Sequence, residues 1–180
     1  MLSGKTAIVT GAAGDLGNAM AVHLAKNGAQ VIMWDVKPLN EAHQHIANVQ
    51  EYNGTVQYRE IDVRDRDAVD NAISDIETLD IVCSNAGIVD AQPFLEVTLD
   101  NWKNHLDINL TGCFNVCQSA ARKMVADNTQ GRIILTSSWV GSIPWPEITP
   151  YTVSKAGVNM LTKQMARELS PYGIRVNAIA

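Results

Sequence analysis

Cysteine is scarce, basic residues are outnumbered, and no hydrophobic run is long. The three cysteines, Cys83, Cys113 and Cys117, cannot make an even disulfide framework. Cys113 and Cys117 share a helical face, but no histidine or third cysteine completes a metal set. They read as small packing residues, and no metal is expected. The four histidines are scattered; His43 and His45 fall in a polar helical stretch that reads as a solvated face. Lysine and arginine number 14 against 19 acids, a net charge of -5, which argues against a nucleic-acid partner and gives no basic membrane-binding patch. No apolar stretch approaches the roughly 18 residues of a membrane span. Met1-Leu2-Ser3-Gly4-Lys5 leads straight into a strand without a signal peptide, so a cytoplasmic protein is expected.

What is present is a globular composition, 46% hydrophobic and 18% charged over 180 residues, sized for a single domain over 1–180. Apolar runs alternate with helical periodicity. Strands are expected at Thr6–Thr10, Ala29–Asp35, Thr55–Asp62, Leu79–Asn85, Gly131–Ser138 and Gly173–Ala180. Helices are expected over 16–27 (closing at Asn27-Gly28), 40–52, Asp65–Glu77, about 98–127 and 150–169. That alternation implies right-handed βαβ units, an α/β fold with a doubly wound parallel sheet. Ligands of such sheets sit at the carboxyl ends of the strands. The polar residues just after each strand are therefore the candidates: Thr10-Gly11, Asp35, Asp62-Val63, Asn85-Ala86-Gly87 and Ser137-Ser138.

Thr10-Gly11-Ala12-Ala13-Gly14-Asp15-Leu16-Gly17 joins the first strand to the first helix. Gly11 suits a tight turn, and small residues let a pyrophosphate approach the backbone. The helix start at Asp15, Leu16 and Gly17 presents free N–H groups and a positive dipole end. The plain alternative is a tight turn with no ligand. Asp35 ends the second strand 18 residues beyond Gly17, where a carboxylate can take the ribose 2′-hydroxyl of NAD; a turn or capping role is the alternative. Asp62-Val63 ends the third strand, where a carboxylate can receive an adenine amino group. Asn85-Ala86-Gly87 ends the fourth with small groups that pass close over a cofactor.

Further on, Thr149-Pro150 suits a helix start, with Thr149 as cap. Tyr151 and Lys155 then stand i and i+4 on one face. An ammonium held beside a phenol favours the phenolate, which can exchange a proton near neutral pH. By itself this is also the pattern of an ordinary exposed helix pair.

Together these stretches resemble the short-chain dehydrogenase/reductase family, from residue 3 almost to the end. The resemblance rests on the Gly11–Gly17 loop, Asp35, Asp62-Val63, Asn85-Ala86-Gly87, Asn109 in Asp107-Ile-Asn-Leu110, Ser138 in Thr136-Ser-Ser138, and Tyr151 with Lys155. It implies a Rossmann-like fold and an NAD-dependent oxidoreductase, NAD in preference to NADP, acting on a small-molecule alcohol or ketone. By the same resemblance Tyr151 is the acid/base and Lys155 tunes it and binds the nicotinamide ribose. Ser138 polarises the substrate oxygen, and Asn109 holds a water linked to Lys155. A homo-oligomer, dimer or tetramer, is implied as well. Apolar residues on more than one side of two helices agree with it: Cys117, Ala120, Ala121 and Val125, then Ala156, Val158, Leu161 and Met165.

Two features depart from the family pattern. Asp15 takes the place of the middle glycine of the compact branch, and Gly14 stands one residue early. The expectation is that Asp15 turns outward and caps the helix. The family also continues past Asn177-Ala178-Ile179-Ala180 into a Pro-Gly turn, a substrate lid and a last strand, which this sequence lacks. A C-terminally incomplete domain with little turnover and an uncovered apolar last strand is therefore expected. The competing reading is a non-catalytic nucleotide-binding module on the same scaffold. Trp139, Ile143, Pro144 and Trp145 could wall an apolar pocket or pack against a neighbour, and the substrate is not legible.

Overall fold

The strands are short and apolar enough to be covered on both faces. β1 (Thr6–Thr10), β2 (Gln30–Asp35) and β4 (Ile81–Ser84) are buried along nearly their whole length. The computed structural model describes residues 1–52 and 56–180. In it β3 (Val56–Glu60), β5 (Arg132–Thr136) and β6 (Arg175–Ile179) complete one parallel sheet, in the order β3-β2-β1-β4-β5-β6. This is the doubly wound sheet expected. Thr55, expected in the third strand, lies outside the described residues. The order reverses between β1 and β4, so their carboxyl ends diverge and open a crevice.

Side chains along each strand alternate between two cores. Ala7, Val9, Val31 and Met33 pack on one face with Ala21 and Ala25 of α1 (Asp15–Lys26) and Val49 of α2 (Leu39–Gln50). Ile8, Ile32, Val82 and Ile133 pack on the other with α3 (Arg66–Ser74) and the later helices. Each fully buried Ile, Val or Met contributes about 1.5–3 kcal/mol.

The single helix expected over 98–127 is three pieces. Thr98 caps α4 (Leu99–His105), its hydroxyl accepting from Asn101 N at 3.1 Å. A π-helical stretch, Leu106–Gly112, follows, and then α5 (Cys113–Ala126). Such a widening leaves no mark in hydrophobic spacing, and it commonly accompanies a functional site. In α6 (Thr149–Leu169) Thr149 is already helical and Ile148 is the capping residue, with no side-chain cap. The expected Thr149 cap is thus displaced by one residue.

The residues cited for a second apolar face point inward instead. Cys117, Ala120, Ala121 and Val158 are buried in the core, and Val125, Leu161 and Met165 pack against it; of that set Ala156 is exposed. α5 and α6 need broad apolar faces simply to cover the sheet. β6 shows Arg175 and Asn177 as well as Ile179 to solvent, so its exposed side is more polar than expected.

Candidate active site

A cavity of about 530 Å³ opens over the carboxyl ends of β1 and β4. Every residue expected to hold the cofactor, from Gly11 through Asp35, Asp62 and Asn85 to Tyr151 and Lys155, lines it. Asn109 and Ser138 are not on its wall.

The glycine loop is shaped by contacts that side chains would block. Gly11 has φ +64°, and a Cβ on it would stand 2.9 Å from Ala86 Cα. A Cβ on Gly17 would lie 2.1 Å from the Gly11 carbonyl oxygen. The loop therefore packs tightly on Asn85-Ala86 and leads directly into α1. Gly14 is the N-cap of α1, with extended backbone and no capping side chain. Asp15 is exposed and already helical, so its carboxylate does not cap the helix as expected. It stands in the first turn, where a negative charge suits the helix dipole.

Asp35 is buried and ties two loops together. Its Oδ2 accepts from Ala13 N at 2.8 Å and its Oδ1 from Lys37 N at 3.1 Å. The Lys37 ammonium reaches back to the Ala13 carbonyl at 2.8 Å. Tyr58 donates to the Lys37 carbonyl. Burial first, then the charges of Asp35, Glu60 and Glu41, push the Tyr58 pKa up to about 12. Asp62 is gripped by the next polar side chain: Arg64 Nε and Nη2 stand 2.6–3.0 Å from its oxygens. That hydrogen-bonded pairing holds the Asp62 carboxyl below its usual range.

The other end is built from amides and hydroxyls. The Thr10 hydroxyl accepts from Asn85 N and Ala86 N, both at 2.9 Å, and Asn85 Nδ2 donates to the Thr10 carbonyl at 3.1 Å. Thr136 donates to Asn85 Oδ1 at 3.0 Å. The ends of β1, β4 and β5 are thus laced together. Asn109, in the π-helical stretch, accepts from Ile88 N at 2.8 Å. It also donates to Ile88 O at 2.9 Å and to Ser154 Oγ at 3.1 Å. Ser154 in turn donates to the Tyr151 carbonyl at 2.7 Å.

Lys155 is only 3% exposed, and among the described residues no carboxylate pairs with it. Its ammonium donates to the Thr136 carbonyl at 2.7 Å and lies 5.5 Å from the centre of the Tyr151 ring. Burial pulls the Lys155 pKa below its ordinary value. Ser138 follows β5 in extended conformation, half-buried, its Oγ accepting from Val140 N at 3.4 Å. The Trp139 and Trp145 rings meet edge to face, 5.3 Å between centroids, and both are exposed.

Sequence reasoning overlooked Arg64, Ser154 and the Thr136 carbonyl. A cation two residues after Asp62 and a small polar residue three after Tyr151 were the available signals. A carbonyl acceptor leaves none.

The chain matches known proteins in sequence and fold over nearly its whole length. The family model described as short chain dehydrogenase matches residues 5–180. The chain belongs to the short-chain dehydrogenase/reductase family. Similar members include the 3beta-hydroxysteroid dehydrogenase 1 of Eggerthella lenta, 37% identical over 99% of this chain and 70% of that protein. The (-)-trans-carveol dehydrogenase of Rhodococcus erythropolis is 35% identical, with the same coverage of both chains. Among solved structures, a short-chain type dehydrogenase/reductase from Mycobacterium marinum superposes with TM-score 0.94 at 35% identity, over 99% of this chain and 74% of that one. Carveol dehydrogenase from Mycobacterium avium, in complex with NAD, gives TM-score 0.90 at 31% identity, over 98% and 70%. As a short-chain dehydrogenase/reductase the protein is an oxidoreductase with a nicotinamide cofactor.

Proposed function

We propose that the protein interconverts a secondary alcohol and a ketone with NAD, and that residues 1–180 act as one dinucleotide-binding and catalytic domain. The observation that carries this reading is the buried Lys155 ammonium beside Tyr151 on the cavity wall, with no carboxylate partner among the described residues.

The residues present fit a dinucleotide. The Gly11 and Gly17 positions leave space that a Cβ would fill, beside a helix N-terminus with no side-chain cap. The Asp35 oxygens each accept one backbone N–H, which leaves lone pairs for ribose hydroxyls. Lys37 is already engaged with the Ala13 carbonyl, which supports NAD over NADP. Asp62 would receive the adenine amino group. When bound, the nicotinamide supplies the hydride acceptor or donor. In oxidation the Tyr151 phenolate accepts the proton of the substrate hydroxyl; in reduction the phenol returns it to the carbonyl oxygen. Lys155 stabilises the phenolate and offers its remaining N–H groups to the nicotinamide ribose. Ser138 would donate to the substrate oxygen. Asn109 fixes Ile88 and Ser154, and through them the position of Tyr151.

The test follows absorbance of reduced nicotinamide with NAD and with NADP, over secondary alcohols and ketones. Cyclic alcohols come first, in view of the hydroxysteroid and carveol dehydrogenases among the relatives. Turnover with NAD supports the reading; tight NAD binding without turnover across the panel would favour a nucleotide-binding module. A homo-oligomer is also proposed, on the exposed stripe Val153, Ala156 and Met160 of α6. Light scattering showing only monomer would remove it.

A further inference from the structure

β3 is an edge strand, so the Asp62-Val63-Arg64 loop at its end has a strand neighbour on one side only. From that side, Ile61 N donates to Asp35 O at 2.8 Å. Within the loop, Arg64 N bonds Asp62 Oδ1 at 2.9 Å and Asp65 N bonds Asp62 O at 3.0 Å. The first bond ties the base of the loop to β2, and the others shape the loop internally without holding its far side.

α5 does that. Asn115 is 6% exposed and is absent from the cavity wall. Its Nδ2 donates to the Val63 carbonyl at 3.0 Å and approaches the Arg64 carbonyl at 3.5 Å. Three residues earlier, Gly112 gives the Val63 side chain its seat: a Cβ on Gly112 would stand 2.5 Å from Val63 Cγ2. Val63 is itself buried in the core. One amide and one missing side chain therefore hold the loop from behind, while Asp62 faces the cavity in front.

We propose that Asn115 is a positioning residue for the purine end of the cofactor, setting the Asp62-Val63 loop at the height where it can read the adenine amino group. The inference rests on the proposed NAD site. Without the Asn115 donor, the Val63 carbonyl loses its partner and the loop is free to settle elsewhere. The purine contact is lost while the nicotinamide end, held by Asn109 and Thr136, keeps its geometry.

The experiment compares NAD with its hypoxanthine analogue, which lacks the adenine amino group. The wild-type protein should prefer NAD by about tenfold in KM, the worth of one hydrogen bond to a charged group. Asn115→Leu, of similar volume, should bring that ratio to about threefold or less while kcat at saturating NAD stays within about twofold. A merely structural role would lower kcat or stability without moving the ratio. If Asn115→Leu does not fold, Gly112→Ala displaces the same loop from the helix backbone and carries the same expectation. A wild-type ratio near one would overturn the Asp62 assignment, and this inference with it. A tenfold wild-type ratio that persists in the folded variants overturns the inference alone.

Discussion

The two ends of the cavity are made of opposite materials. At the ends of β2 and β3 stand two carboxylates, Asp35, buried and tied to backbone amides, and Asp62, ion-paired with Arg64. The Arg64 and Asp62 side chains are 48% and 34% exposed. At the ends of β4 and β5 stand Asn109 and Ser154, 1% and 0% exposed, with Lys155 as a single buried cation. An ion pair in contact with water contributes about 0–1 kcal/mol, so the Asp62–Arg64 pair can be retuned by substitution at small cost to the fold. A buried donor or acceptor stripped of its partner costs about 1–3 kcal/mol, so each amide at the second end is tied to the next. On the proposed function, the Asp62–Arg64 pair of the purine end sits where charges are cheap to rearrange, and proton transfer where they are expensive.

The largest expected effect breaks the second end alone. Tyr151→Phe should lower turnover by about 100- to 10,000-fold, the range of a lost general acid/base, while NAD affinity changes by no more than about threefold. Steady-state kinetics beside calorimetric NAD binding checks both halves. Near-normal turnover would remove Tyr151 from the chemistry, and a large loss of NAD affinity would show that the two ends are not separable.

Next in size is a change confined to the first end. Asp35→Asn keeps an acceptor for Ala13 N or Lys37 N and removes the charge. Like-charge repulsion between a carboxylate and a 2′-phosphate is about 4 kcal/mol at 4 Å in an intermediate dielectric. Screening at the cavity mouth reduces this to an expected 10- to 100-fold fall in the NAD-to-NADP preference. The ratio of kcat/KM for the two cofactors reads it. An unchanged ratio would move discrimination away from Asp35.

The same contrast explains what the sequence made legible. Strand ends carry their own markers, and Asp35, Asp62, Asn85-Ala86-Gly87 and the Tyr151–Lys155 pair were all readable as positions. Ser138 was readable in the same way, just after the fifth strand; the resemblance supplied Asn109, which spacing alone would not single out. What stayed hidden depends on through-space partners. The π-helical turn at Leu106–Gly112 swings Asn109 onto Ile88 and Ser154 without disturbing the apolar pattern. The Asp62 carboxylate, read in sequence only as an acceptor for an adenine amino group, is held by Arg64. The apolar faces of α5 and α6 looked like an interface, although most of the residues named there cover the sheet.

The smallest expected effect concerns stability at the buried end and turns on the sign of the Lys155 shift. Burial lowers its pKa in the folded protein below the ordinary 10.5. The unfolded chain therefore binds more protons at this position between the lowered value and 10.5. Stability from this group rises with pH across that window; below it, the cost of burying the ammonium is constant and complete. Lys155→Met keeps most of the length and removes the charge, but it takes away the donor that satisfies the Thr136 carbonyl at 2.7 Å. The two effects oppose, so at neutral pH the variant should differ from wild type by no more than about 1 kcal/mol despite losing activity. Raising the pH toward the ordinary lysine pKa should stabilise the wild type relative to the variant, because only the wild type has a buried charge to release. Thermal unfolding of both proteins at neutral and alkaline pH measures this difference. A gap that stays fixed, or moves toward the variant as pH rises, would mean that the ammonium is not strained by burial and that the contrast between the two ends is one of exposure alone.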